Sequence, residues 1–94
     1  MHATRTVSVV IQGRVQGVSY RVWTQGEARR LGLAGFVRNR DDGSVEALFS
    51  GAAAAVDEML TLCRSGPPGA RVTDVAMTES AENHASTGFE ILRG

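Results

Sequence analysis

Alternating apolar and polar positions predict the strands of this chain. In residues 6–12 one face of the segment is apolar, which is the pattern of a half-buried strand; it is formed by Val7, Val9 and Ile11. The other predicted strands are residues 34–39, 44–50, 71–77 and, short and at a sheet edge, 89–92. Residues 40–43 contain the Asp-Gly pair of a tight hairpin, so the second and third strands are expected to pair directly.

Two segments repeat with the period of a helix. The first is predicted at residues 20–31, with Ser19 as its N-cap and Gly32 as its stop signal. Its apolar side is formed by Tyr20, Thr24, Ala28 and Leu31. The second helix begins at Ala52 and ends at the glycine- and proline-rich residues 66–69. Its apolar side is formed by Val56, Met59, Leu60 and Cys63.

The predicted order is strand, helix, strand, strand, helix, strand, followed by one short strand. This order is typical of the split β-α-β arrangement, in which two crossover units share one sheet. We therefore expect a single domain over residues 1–94, of the α+β class and ferredoxin-like. Two helices should cover one face of an antiparallel sheet of four to five strands.

Charge and composition narrow the functions of this domain. The 94 residues contain 10 basic and 10 acidic residues, giving a net charge of +0, and every basic residue is arginine. A neutral chain argues against a nucleic-acid partner, which requires a basic surface. The absence of lysine excludes a Schiff base and a P-loop lysine. The single cysteine, Cys63, excludes an internal disulfide and a thiolate zinc site and is expected to be a buried apolar residue.

Features that the sequence lacks indicate where the protein is located and whether it binds a metal or cofactor. No apolar segment is long enough to span a bilayer, and the first residues contain no apolar signal core, so we expect a cytoplasmic protein without a membrane partner. A monomer is the default expectation. His2 and His84 have no second histidine or carboxylate at ligand spacing, so no metal site and no cofactor are expected.

The connection between the first strand and the first helix holds the strongest candidate chemistry. Gly13 and Gly17 allow a tight turn, and a helix start presents unpaired N–H groups and a partial positive charge to an anion. Arg21 lies in the first turn, where a cation opposes the helix dipole but its fork of donors fits a phosphate. A glycine turn with a solvated arginine would explain the same residues. Ser19 has no neighbouring base, so it is not expected to be a nucleophile.

Element lengths place Asn39 near Arg21. A helix of residues 20–31 is roughly 18 Å long, and a strand of residues 34–39 returns roughly 20 Å. Asn39 therefore comes back to the level of Arg21, and its amide could orient a water molecule without adding charge. A strand-end asparagine that binds the hairpin backbone is the alternative, and geometry alone favours it.

Two long motifs of this chain resemble the signatures of the acylphosphatase family. The first reads Ile-Gln-Gly-Arg-Val-Gln-Gly-Val-Ser-Tyr-Arg over residues 11–21, and the second reads Gly-Phe-Val-Arg-Asn-Arg-Asp-Asp-Gly-Ser-Val over residues 35–45. Residues 27–33 and 88–91 are also similar, so the resemblance covers nearly the whole chain. It implies a small ferredoxin-like enzyme that hydrolyses carboxyl–phosphate bonds and takes a small acyl phosphate as its substrate, without a metal or cofactor.

The resemblance also assigns roles to residues. The family's catalytic arginine falls on Arg21 and its water-positioning asparagine on Asn39. Its phosphate cradle falls on the backbone of Arg14, Val15, Gln16, Gly17, Val18 and Ser19. No side chain in the motifs is an obvious nucleophile, so direct attack by water on phosphorus is expected.

Three positions differ from the family's pattern. Tyr20 stands where phenylalanine is usual, so its hydroxyl needs a partner, and Arg40 follows Asn39 where many members have threonine. The chain ends in Gly94 rather than tyrosine, which leaves open whether a terminal carboxylate contacts Arg21.

Two other functions remain as alternatives. An RNA-binding module shares this topology, but it needs exposed sheet aromatics, and the central strands contain only Phe36 and Phe49. A phosphate-binding accessory domain without catalysis, or one that handles carbamoyl phosphate for a larger enzyme, would use the same loop.

Overall fold

The computed structural model describes residues 4–80 and 88–93. Its strands are β1 (Thr4–Arg14), β2 (Ala34–Asn39), β3 (Val45–Ala52), β4 (Arg71–Glu79) and β5 (Phe89–Ile91), and its helices are α1 (Tyr20–Arg30) and α2 (Ala53–Ser65). Every predicted element is present in the predicted order. The largest differences are at the ends of β1, which extends beyond residues 6–12 because its flanking residues also pair with β3 and β4.

The sheet has the strand order β4-β1-β3-β2-β5, and both helices pack on the same face. Helix α1 lies against β2 and β5, and α2 lies against β1, β3 and β4. One continuous core joins the sheet and the helices; its largest fully buried side chains are Tyr20, Phe49, Phe89, Ile11 and Met59. This arrangement confirms the α+β, ferredoxin-like fold.

The fifth strand differs from the expected antiparallel arrangement. β5 pairs with β2 in parallel, whereas the other three strand pairs are antiparallel, so the sheet is mixed. The Ser80 amide donates to the Thr6 carbonyl near the start of β1, and the Gly35 amide, near the start of β2, donates to the Gly88 carbonyl. β1 and β2 run the same way because both are antiparallel to β3. Ser80 and Gly88 therefore lie at one end of the sheet, and β5 starts where β2 starts.

The Tyr20 hydroxyl has a partner inside the core. It donates a hydrogen bond of 2.8 Å to the carbonyl oxygen of Cys63, which joins α1 to α2. Burial raises the pKa of Tyr20, so this hydroxyl stays protonated and remains a donor. Cys63 is itself fully buried, and burial raises the pKa of its thiol to about 12. The prediction that Cys63 is a buried apolar residue is confirmed.

The aromatic ring of Phe49 belongs to the core. It is fully buried and stacks on Phe89, with 5.5 Å between the ring centroids. RNA-recognition sheets stack bases on exposed aromatic rings. Phe49 therefore cannot serve as such a platform in this fold.

Gly35 is required where β2 passes closely over β3. Its φ is +139°, and a Cβ atom there would lie 1.8 Å from the carbonyl oxygen of Leu48. We expect Gly35→Ala to lower the free energy of unfolding by about 2–4 kcal/mol, measured by urea denaturation. The matched control is Gly26→Ala in α1, where a Cβ atom would meet nothing within 4 Å. That change should stabilise the protein by about 0.5–1 kcal/mol, so equal effects would contradict the role given to Gly35.

Candidate active site

The loop between β1 and α1, residues 15–19, contains two left-handed backbone positions. Gly17 has a φ of 76°, and Ser19 has a φ of 61° and a ψ of 28°. Glycine adopts this conformation freely, whereas another residue pays about 1–3 kcal/mol for it. Ser19 is the one non-glycine residue with positive φ in the part of the chain that the structure describes. The fold therefore holds a strained residue directly before the first turn of α1.

Ser19 occupies the N-cap position of α1, as predicted, but its side chain does not cap the helix. Ser19 precedes α1, yet its side chain makes no capping hydrogen bond. A capping side chain normally requires an extended backbone at the N-cap, and Ser19 is left-handed instead. Its carbonyl still accepts the first helical hydrogen bond, from the Trp23 amide at 3.0 Å.

The bent loop leaves its amides without internal partners. No backbone N–H group from Val15 to Ser19 donates to a backbone or side-chain acceptor within residues 4–80 and 88–93. The first N–H groups of α1 also have no intrahelical acceptor, as at the start of any α-helix. These donors, together with the positive end of the helix dipole, are suited to an anion.

Arg21 and Asn39 line one cavity of about 330 Å³ at this end of the sheet. Its other lining residues are Val15, Gly17, Ser19, Tyr20 and Val22. The lengths of α1 and β2 therefore bring Asn39 back to Arg21, as the element lengths indicated. Three other residues of the predicted cradle do not line the cavity; they are Arg14, Gln16 and Val18. Arg14 is the last residue of β1, opposite Arg71.

Among the described residues, neither the guanidinium of Arg21 nor the side-chain oxygen of Asn39 has a hydrogen-bond partner. Arg21 is half-buried and forms no salt bridge or hydrogen bond with any residue in the described ranges. Asn39 Oδ1 is the only buried side-chain N or O atom of the described residues that has no hydrogen-bond partner. Such an orphaned acceptor costs about 1–3 kcal/mol. This oxygen does not bind the hairpin backbone, which was the alternative role for Asn39.

Gln16 ties the loop to the hairpin that follows Asn39. Its Nε2 donates to the carbonyl oxygens of Arg40 (2.8 Å) and Ser44 (2.9 Å). The hairpin is also closed internally, because the Asp42 carboxylate accepts hydrogen bonds from the Ser44 hydroxyl and amide, which lower the pKa of Asp42. The side chain of Gln16 thus fixes the distance between the loop and the strand end. Sequence reasoning missed this contact, since it joins residues far apart in the chain.

Five arginines lie near the cavity end of the sheet, where β1, β2 and β5 end and β4 begins. They are Arg14, Arg21, Arg40, Arg71 and Arg93. None forms a salt bridge with another described residue. The salt bridges of Arg5 and Arg30 lie at the opposite end; their partners are Asp57, Glu79, Glu27 and Glu58. A sixth arginine at this end, Arg38, is paired with Glu46. The carboxylates of Asp41 and Asp42 follow Arg40 in the hairpin, so unpaired cations and carboxylates lie together at this end.

Residues 4–80 and 88–93 show neither a membrane-spanning helix nor a cluster of metal ligands. Neither helix there has the length and apolarity needed to cross a membrane. No three histidine, cysteine, aspartate or glutamate side chains in those ranges come together as a metal site. His2, His84 and Gly94, whose carboxylate was considered for Arg21, lie outside the described residues.

Known proteins share both the sequence and the fold. The acylphosphatase family model matches residues 7–91. The acylphosphatase of Rhizobium meliloti is 54% identical over 90 residues, covering 96% of this chain and 95% of the relative. The crystal structure of acylphosphatase from Bacillus subtilis matches with a TM-score of 0.90 at 38% identity, covering 96% of this chain and 99% of that one. The structure of an acylphosphatase from Coxiella burnetii matches with a TM-score of 0.88 at 29% identity. The match covers 95% of this chain and 93% of that one. The chain therefore belongs to the acylphosphatase family of hydrolases.

Proposed function

We propose that this enzyme hydrolyses the carboxyl–phosphate bond of acyl phosphates by direct attack of water, without a metal ion or cofactor. The N–H groups of residues 15–19 and the guanidinium of Arg21 hold the phosphoryl oxygens, and Asn39 orients the water. One observation carries the proposal: Asn39, whose buried Oδ1 has no hydrogen-bond partner among the described residues, lines the same cavity as Arg21. A water hydrogen bonded to that oxygen would stand beside the cation that binds the phosphoryl group.

The chemistry requires little from the side chains. The water oxygen forms a new bond to phosphorus while the bond from phosphorus to the acyl oxygen breaks, and that oxygen leaves with the electron pair as a carboxylate. One proton of the water passes to a phosphoryl oxygen, so the products are a carboxylate and inorganic phosphate. A carboxylate whose acid has a pKa of about 4 leaves without a general acid. The cavity accordingly has no histidine, aspartate or glutamate among its described lining residues.

Catalysis then depends on positioning the reactants and on the fixed charge of the site. These two effects dominate phosphoryl transfer in general, because the transition state spreads negative charge over three oxygens. The donors here are held in place before substrate arrives, since the loop amides have no competing acceptor in the described chain and Gln16 braces the loop. Donors that need no rearrangement stabilise the developing charge at little reorganisation cost.

The proposal is tested with acetyl phosphate in water enriched in oxygen-18. We expect release of inorganic phosphate that carries one labelled oxygen, unlabelled acetate, and a rate that EDTA does not change. Label in the acetate would place the attack at carbon, and loss of activity with EDTA would contradict the metal-free reaction. Binding of inorganic phosphate without turnover would favour the accessory-domain alternative.

The role of the two hydrogen bonds from Gln16 to the hairpin is tested with Gln16→Ala. Removing its two hydrogen bonds frees the loop from the Asn39 hairpin, and small displacements of positioned groups slow reactions strongly. We expect kcat/KM for acetyl phosphate to fall about tenfold.

Gln25→Ala is the matched control for this change. Gln25 Nε2 also donates to a backbone carbonyl, that of Phe89 at 3.1 Å, but from the middle of α1. Both substitutions should lower the free energy of unfolding by about 1 kcal/mol. Only Gln16→Ala should slow catalysis. Equal losses of kcat/KM in the two variants would show that Gln16 acts on the fold in general and not on the position of the loop.

A further inference from the structure

A second cavity meets the candidate active site on its α1–β5 side. It has a volume of about 580 Å³ and is lined by Arg21, Val22, Ile91 and Arg93. Arg21 and Val22 also line the cavity that contains Asn39, so the two cavities are adjacent at the first turn of α1. Small-molecule sites commonly enclose roughly 300–1,000 Å³. The second cavity therefore has room for the organic part of a small substrate.

The side chains of this cavity combine an apolar wall with a cation. Val22 is 65% exposed, more than either of the other exposed large hydrophobic residues in the described chain, Met77 and Leu92. Ile91 is half-buried next to it in the lining. Arg93 is exposed and forms no salt bridge or hydrogen bond with a residue that the structure describes. An apolar surface that ends at a free guanidinium fits a short hydrocarbon chain that ends in an anion.

A cavity on the other side of Asn39 is a weaker candidate for the same ligand. It has a volume of about 320 Å³ and is lined by five consecutive residues, Arg38, Asn39, Arg40, Asp41 and Asp42. Its two carboxylates offset the charge of its two arginines, and it offers no apolar side chain to a hydrocarbon chain. The described residues of the α1–β5 cavity include no carboxylate.

We infer that Val22, Ile91 and Arg93 form an acyl subsite that selects acyl phosphates with a second anionic group on the acyl chain. The inference rests on the hydrolysis proposed above and names its substrate class. With the phosphoryl group held by the loop and Arg21, the hydrocarbon part of the acyl group contacts Val22 and Ile91. Arg93 pairs with the distal carboxylate or phosphate. The backbone loop recognises the phosphoryl group of any acyl phosphate, so selectivity among acyl phosphates comes from the acyl subsite.

The test compares kcat/KM for succinyl monophosphate with kcat/KM for acetyl phosphate. We expect the wild-type enzyme to prefer the carboxyl-bearing substrate about fivefold, the effect of one solvent-exposed ion pair. Arg93→Gln should remove this preference. Arg93→Glu should reverse it, and should instead favour 3-aminopropanoyl phosphate, whose distal group is a cation.

Arg71→Gln is the matched control, because it removes the same charge near the same end of the sheet but outside the cavity. It should leave the ratio of the two kcat/KM values as in the wild type. Equal loss of preference in Arg71→Gln and Arg93→Gln would mean long-range attraction and would overturn the subsite. Hydrolysis of acetyl phosphate without any wild-type preference would overturn the subsite alone. No hydrolysis of either substrate would overturn the proposed function and the subsite with it.

Discussion

Arg21→Gln is expected to lower kcat/KM for acetyl phosphate by about 10³-fold. In the proposed mechanism the guanidinium contacts the phosphoryl group in the bound substrate and in the transition state, so KM should rise and kcat should fall together. The side chain of Arg21 forms no salt bridge or hydrogen bond with the rest of the described chain, so its replacement should not disturb the fold. Steady-state kinetics over a range of acetyl phosphate concentrations separate the two parameters.

Stability provides the internal control for Arg21. A cation in the first turn opposes the helix dipole, so Arg21→Gln should leave the free energy of unfolding unchanged or raise it by up to about 1 kcal/mol. Arg29→Gln is the matched variant in the last turn of α1, where a cation favours the dipole. It should slightly destabilise the protein. An Arg21→Gln enzyme within tenfold of wild-type kcat/KM would remove this residue from the proposed mechanism.

Asn39→Ala is expected to lower kcat for acetyl phosphate about 10²-fold with little change in KM. In the proposed mechanism the Asn39 amide acts on the water rather than on the bound phosphoryl group, so substrate binding should survive the substitution. The protein should be as stable as the wild type or more so, because the buried Oδ1 that is removed has no protein partner. Kinetics and urea denaturation of one sample measure both effects.

The combination of lost turnover and retained stability is what distinguishes a functional asparagine from a structural one. Asn39→Gln carries the same amide one methylene further out and should recover little activity, because the position of the acceptor decides how the water is aligned. A full kcat in Asn39→Ala would show that the water needs no such acceptor. A large loss of stability would instead indicate that Asn39 supports the hairpin.

Periodicity predicted the elements well because each depends on local spacing. The buried positions of β1, Val7, Val9 and Ile11, follow directly from alternation, and the approach of Asn39 to Arg21 follows from element lengths. The parallel pairing of β5 with β2 was not predicted, since a short strand carries no sign of which neighbour it joins or in which direction.

Details of the site were less accessible to sequence reasoning. A serine gives no indication that its backbone will be left-handed, as that of Ser19 is. The hydrogen bonds from Gln16 to the hairpin join loops that are close only after folding. The cavity between Val22 and Arg93 likewise exists only because β5 runs parallel to β2. In each case the information lies in long-range contacts.

Arg21 and Arg93, which pair with no carboxylate of the described residues, give the cavity end of the molecule a local positive charge in a chain of net charge +0. An acyl phosphate dianion that approaches the enzyme is turned toward that end before contact, which raises the rate of productive encounter above that of random collision. Dissolved salt shortens the reach of this attraction to about 8 Å at physiological ionic strength. Substrate capture should therefore slow as salt is added, a dependence that a formal charge of +0 would not lead one to expect.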